Sequence, residues 1–116
     1  RLAKEKQNYI VVEKIEQVAH TLKKRNHPVI VEDALSRETL ESVNIDNAHA
    51  LVSCLGSDGD NVVLVLLARE FNKSLPIIAR ANYPDVVERL KLVGATQIIM
   101  PEQLGGQRMA ELITKR

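Results

Sequence analysis

The feature that most constrains this chain is the regular alternation of short apolar runs with helical patterns, joined by connections of only a few residues. Residues 9–12, 29–31, 50–55, 76–81 and 97–100 each read as a strand, being brief, apolar and bounded by polar or turn-forming residues. Between the first two, Ile15, Val18, Ala19 and Leu22 recur at helical spacing. Ser36, with Glu38 close behind, reads as the N-cap of a short helix running through Leu40 to about Val43, and Asp60 reads as the cap of a long helix to about Phe71. Pro84 marks a helix start, Gly94 suits a left-handed C-terminal cap, and residues 104–114 close the chain as a helix whose start the Gly105-Gly106 pair loosens. Strand and helix in strict alternation imply parallel strands with crossover helices on both faces, since few other topologies accept the handedness of the crossover. The expected fold is therefore one α/β domain over residues 1–116, a Rossmann-like, doubly wound parallel sheet.

Composition removes several classes of function. The formal charge of +1 gives no basic excess to neutralise phosphates, and with no Trp, one Phe and two Tyr the stacking platforms of single-strand binders are missing, so no nucleic acid is expected. Cys54 is the sole cysteine, which excludes an internal disulfide and a cysteine-based zinc cluster; it reads as a small buried residue rather than a redox sensor. His20, His27 and His49 are scattered without metal-ligand spacing, and Asp58, Asp60 and Glu70 form no evident cage. No apolar run approaches the roughly 20 residues that cross a bilayer.

In the dinucleotide-binding strand order 3-2-1-4-5-6, the first strand is central and leads into a glycine-rich phosphate turn. Nothing in this chain matches Gly-x-Gly-x-x-Gly, and residues 1–6 read as the end of a first helix. Glu13 nevertheless stands where such folds keep a ribose-binding carboxylate at the end of the second strand, so the expectation is a sheet truncated at its N-terminus. An acidic residue there suits an unphosphorylated ribose and opposes a 2′-phosphate.

The succession Glu13, Val31-Glu-Asp-Ala34, Leu55-Gly-Ser-Asp-Gly-Asp-Asn61, Ile77-Ile-Ala-Arg-Ala-Asn82, Gly94-Ala and Ile99-Met-Pro101 resembles the N-terminal subdomain of regulator-of-potassium-conductance domains, also called Trk-type or KTN domains. The resemblance covers nearly the whole chain. It implies a cytoplasmic regulatory domain, not an enzyme, attached to a membrane-embedded potassium channel or transporter and responding to nucleotide or ion binding. It also implies NAD or another adenine nucleotide, ADP or ATP, as ligand. Carried over by position, Glu13 would meet ribose hydroxyls, and Asp33 with Ala34 would lie beside the adenine edge. Leu55 and Gly56 would flank the ligand, and Arg80 would face phosphate. The chain departs from the family in having Glu32-Asp33-Ala34-Leu35 where Gly-Asp-Ala-Thr is common, and in lacking the phosphate loop.

Plainer readings stand beside these. Glu13 reads equally as a solvated strand-end carboxylate, Asp33 as a turn former before a helix, and Arg80 as a structural partner of a nearby carboxylate. The segment Val62-Val-Leu-Val-Leu-Leu-Ala68 is apolar all round, whereas a helix on one sheet face needs a single stripe, so a homodimer or higher homo-oligomer through this helix is expected. Leu104, Met109, Leu112 and Ile113 of the closing helix would add contact area. Two other functions compete with the regulatory one: a structural dimerisation module with a decayed ligand site, and a fragment of an NAD-dependent dehydrogenase.

Overall fold

The computed structural model describes residues 11–13, 16–26, 28–31 and 33–114. The expectations for residues 1–6 and for Tyr9, Ile10, Ile15, His27 and Glu32 fall outside them. By contacts the chain divides into two compact units, Arg1–Asn44 and Ile45–Arg116.

In the first unit, β1 (Val11–Glu13) and β2 (Val29–Val31) pair in parallel, with Glu13 opposite Val31. Helix α1 (Glu16–Lys24) connects them, and its last turn carries Lys23 and Lys24, where cations complement the helix dipole. Asn26 stops the chain at φ 67°, a left-handed conformation that asparagine tolerates. Helix α2 (Arg37–Ser42) starts where the sequence indicates: Ser36 accepts a hydrogen bond from the Thr39 amide and Glu38 lies in the first turn.

The second unit is a parallel sheet in the order β3-β4-β5, built from β3 (Leu51–Ser53), β4 (Ile77–Arg80) and β5 (Gln97–Ile99). Helix α3 (Asp58–Phe71) joins β3 to β4; a 3-10 turn at Pro84–Val86 followed by α4 (Val87–Val93) joins β4 to β5. Because the strand order advances in one direction, both crossovers return over the same face, and α3 and α4 pack against each other there. Ser53, Ile77 and Ala79 are fully buried beneath Leu64, Val65, Ala68 and Leu90. Within this unit, cover on both faces is not what the structure has: Val52 and Ile99, which alternate to the opposite face, remain 59% and 41% exposed.

Three local expectations are corrected. The cap of α3 is Ser57, whose Oγ accepts from the Asp60 amide at 3.3 Å, so the helix begins two residues before Asp60. Helix α5 (Pro101–Thr114) starts three residues before Leu104 and runs through Gly105 and Gly106. Proline at the first helical position has no amide to satisfy and a preset φ, which outweighs two glycines further in. Cys54 is exposed, because it leaves β3 one residue after the inward-facing Ser53.

Gly94 ends α4 as expected, at φ 117°. A Cβ there would lie 2.7 Å from Arg69 Nε, and the Arg69 guanidinium donates to the Gly94 carbonyl as well as to Asn72 O and Lys73 O at 3.2 and 3.0 Å. Gly94→Ala should therefore destabilise the protein by about 1–3 kcal/mol, combining the left-handed cost with displacement of Arg69. Urea unfolding monitored by circular dichroism measures this, with Gly56→Ala as the control, since a Cβ on Gly56 meets nothing within 4 Å.

Candidate functional site

Within each unit the parallel strands aim their carboxyl ends the same way, and the six residues singled out by sequence lie at or just past the strand ends of their own unit. In the first unit Glu13 is the last residue of β1, opposite the last residue of β2. Asp33 follows two residues beyond Val31, and its Oδ1 accepts from the Leu35 amide at 2.9 Å. That bond is an Asx turn, the plainer role foreseen for Asp33. Ala34 beside it is half-buried. In the second unit Leu55 and Gly56 follow β3, and Arg80 is the last residue of β4.

The second unit holds its carboxyl end together through a residue not singled out from sequence, Asn61. Its side chain is fully buried in the first turns of α3. Oδ1 accepts from Ser53 Oγ and from the Leu55 amide, both at 2.8 Å, while Nδ2 donates to Leu55 O at 3.2 Å and Arg80 O at 3.1 Å. Both donors and both acceptor sites of the amide are thus used. The signal was present in the sequence: Asn61 shares the helical stripe of Leu64, Val65 and Ala68, and a polar residue on a buried stripe must have internal partners.

Arg80 is partnered by a carbonyl rather than a carboxylate. Its Nη2 donates to Leu55 O at 2.6 Å, and its Nε is buried with no hydrogen-bond partner. A buried N–H without an acceptor is costly, so an anion or carbonyl brought to this end of β4 would satisfy a standing need. Above Gly56 there is open space, and its φ is not in the left-handed region. Nothing in the fold demands glycine there, whereas close approach of a ligand would. These two features leave a hydrogen-bond donor and room for a ligand at the carboxyl ends of β3 and β4.

Adjoining Gly56 is a cleft of about 380 Å³ lined by Gly56, Ser57, Asp58, Asn82, Tyr83 and Glu102. Asp58 spans it: one carboxylate oxygen accepts from the Asn82 amide at 2.8 Å and the other from the Tyr83 amide at 3.1 Å. The carboxylate also stands in the first turn of α3, where negative charge is favoured. The Ser57-x-x-Asp60 capping pattern was the readable sign of this turn. Among the described residues no three His, Cys, Asp or Glu side chains group as metal ligands, and no helix is long and apolar enough to cross a membrane.

Parallel strands joined by helices, with polar residues gathered at their carboxyl ends, define a Rossmann-like α/β fold. Residues 1–101 match the TrkA-N domain model, and the chain belongs to the TrkA-N domain family. The resemblance drawn from the sequence motifs is thereby established. A "Probable potassium channel protein 2" of Methanocaldococcus jannaschii is 43% identical over 83 residues, covering 72% of this chain and 24% of that protein. The chain thus spans about a quarter of that relative's length. The TrkA-N domain of the inner membrane protein ybaL from Escherichia coli superposes with a TM-score of 0.88 at 26% identity, covering 96% of this chain and 82% of that one. The GsuK channel bound to NAD gives 0.79 at 27% identity over 84% of this chain and 18% of that one; GsuK has also been solved bound to ADP, with a TM-score of 0.78 at the same identity over 85% and 26%.

Asp58→Ala should cost about 1–3 kcal/mol of stability, since two backbone amides lose a charged acceptor, and Asp58→Asn should recover part of it. Urea midpoints of the three proteins provide the check; equal midpoints would show that the bridge from α3 to residues 82–83 contributes nothing.

Proposed function

We propose that this chain is the cytoplasmic, membrane-associated regulatory domain of a potassium channel or potassium transporter, biased by binding of an adenine nucleotide. Its two units together form one domain, a reading supported by the single family model that runs across both. The potassium reading rests on the family and on the potassium channel relative. The nucleotide reading is carried by one observation, the buried and unpartnered Nε of Arg80 at the carboxyl end of β4, and is supported by the likeness to GsuK bound to NAD and to ADP.

Glu13 accepts from the ribose hydroxyls, and Asp33 with Ala34 meets the adenine edge. Leu55 and Gly56 lie along the nucleotide, and Arg80 donates to phosphate. A carboxylate suits a diol and a guanidinium fork suits a phosphate, each through charge-assisted hydrogen bonds. The role is regulatory rather than catalytic: a ligand that binds one arrangement of paired domains better than another shifts their populations, and the pore-forming part reads that shift.

Calorimetry on the full-length gene product with NAD, ADP and ATP tests this. Arg80→Ala should weaken ADP about tenfold or more, as loss of a charged hydrogen bond predicts, and weaken adenosine little. Glu13→Ala should weaken every ribose-bearing ligand alike. Gly56→Ala should leave stability within about 0.5 kcal/mol while reducing affinity. Absence of heat with all three nucleotides would leave the structural dimerisation module as the better reading; turnover of a nicotinamide cofactor would favour the dehydrogenase fragment.

The domain acts as a homodimer or higher homo-oligomer through α3. Val63 and Leu66 on its outer side are 42% and 46% exposed. Leaving that face in water forgoes roughly 25 cal/mol per Å² of burial. Val63→Asn with Leu66→Gln should convert the assembly to monomer in sedimentation at micromolar concentration; a monomeric unsubstituted protein would refute the interface.

A further inference from the structure

We infer that Asn61 is a positioning residue for Arg80, fixing where the guanidinium stands at the carboxyl end of β4; this rests on the nucleotide reading above. The orientation of the Asn61 amide is dictated by its partners. The Leu55 backbone N–H can only donate, so the atom facing it is Oδ1; the Leu55 and Arg80 carbonyls can only accept, so the atom facing them is Nδ2.

Two of these four bonds bear on Arg80 directly. Nδ2 holds the main-chain carbonyl of Arg80 itself, the residue from which the side chain springs. It also holds Leu55 O, the same oxygen on which Arg80 Nη2 rests. Asn61 therefore fixes both the base and the far anchor of a long side chain. Arginine has four rotatable side-chain bonds, and freezing them ahead of binding spares the ligand that entropy. With Asn61 gone, Leu55 loses both of its hydrogen bonds to α3, the Nη2 anchor drifts with it, and Nε is no longer presented to the same point. A positional error of about 1 Å is enough to forfeit a charge-assisted hydrogen bond's geometry. The arrangement thus makes an asparagine that touches no ligand a determinant of phosphate affinity.

The test is calorimetry of ADP and adenosine with the full-length gene product, in the unsubstituted protein, Asn61→Ala, Asn61→Asp, Arg80→Ala and the double variant Asn61→Ala with Arg80→Ala. Asn61→Asp keeps the shape and the acceptor oxygen and supplies at most one donor in place of two, so it serves where Asn61→Ala folds poorly; circular dichroism establishes which variants are folded. The expected result is a loss of ADP affinity in the folded Asn61 variant to within about threefold of Arg80→Ala. Adenosine affinity should be unchanged, and the double variant, or Asn61→Asp with Arg80→Ala, should be no weaker than Arg80→Ala alone. A ratio of ADP to adenosine affinity that survives in the Asn61 variant, or losses that add in the double variant, would assign Asn61 to stability only and overturn the inference while leaving the nucleotide reading intact. No binding of ADP or adenosine to the unsubstituted protein would overturn both.

Discussion

A primary amide withdrawn completely from water must spend its two donors and two acceptor sites inside the protein, and the carboxyl end of this sheet is organised around the one that does so. Asn61 binds the last residue of β3, the loop after it and the last residue of β4 to the first turns of α3. The helix cannot then rotate, since turning it would strand a buried amide and break all four of its hydrogen bonds, at a cost well above a single hydrogen bond. Rotation being fixed, Leu64, Val65 and Ala68, three, four and seven residues on, are committed to the sheet face. At the other end Arg69 ties the loop at Asn72 and Lys73 to Gly94. Polar brackets at both ends set the register of an otherwise apolar helix, whose hydrophobic packing alone would specify it weakly.

The same geometry explains why the second unit is covered on one face only. Its three strands run in one spatial direction, so both crossover helices return on the same side. Inward residues alternate with Val52 and Ile99, which keep much of their surface. An apolar strand residue such as Val52 is thus exposed without any fault in the pattern: periodicity reports that a side chain is apolar, while strand order decides whether anything covers it.

Much of the fold was legible in the sequence. The parallel strands followed from alternation, the start of α2 from Ser36, and the end of α4 from Gly94, where the αL conformation excludes ordinary side chains. What misled was competition between local signals. Ser57 and Asp60 are both good caps three residues apart, and the one that wins is the one whose oxygen faces an orphan amide in the folded turn. Pro101 and the Gly105-Gly106 pair pull α5 in opposite directions, and the proline sits where its missing amide costs nothing. At the candidate site, residue types and strand-end placement of Glu13, Asp33, Ala34, Leu55, Gly56 and Arg80 could be read, because strand ends follow from the pattern. The sharing of Leu55 O by Asn61 and Arg80 could not, since the second of its bonds reaches 25 positions along the chain to a carbonyl that carries no sequence identity.

That shared carbonyl bears on how a nucleotide would act at a distance. A ligand shifts an equilibrium only by the difference in its affinity for the two arrangements, and couplings between sites typically amount to about 1–3 kcal/mol. One charged hydrogen bond made or lost is of that size. Arg80 already rests on Leu55 O, so a phosphate that draws the guanidinium away relaxes the same oxygen that Asn61 holds, and one that fills only Nε leaves it in place. In the first case the change would pass through a single amide into the start of α3, whose outward side carries Val63 and Leu66. In the second the ligand stiffens what is already there. On the proposed nucleotide reading the two differ in which guanidinium nitrogen the phosphate would take, so the sense of regulation would turn on a choice between two donors of one side chain rather than on the overall fit of the ligand.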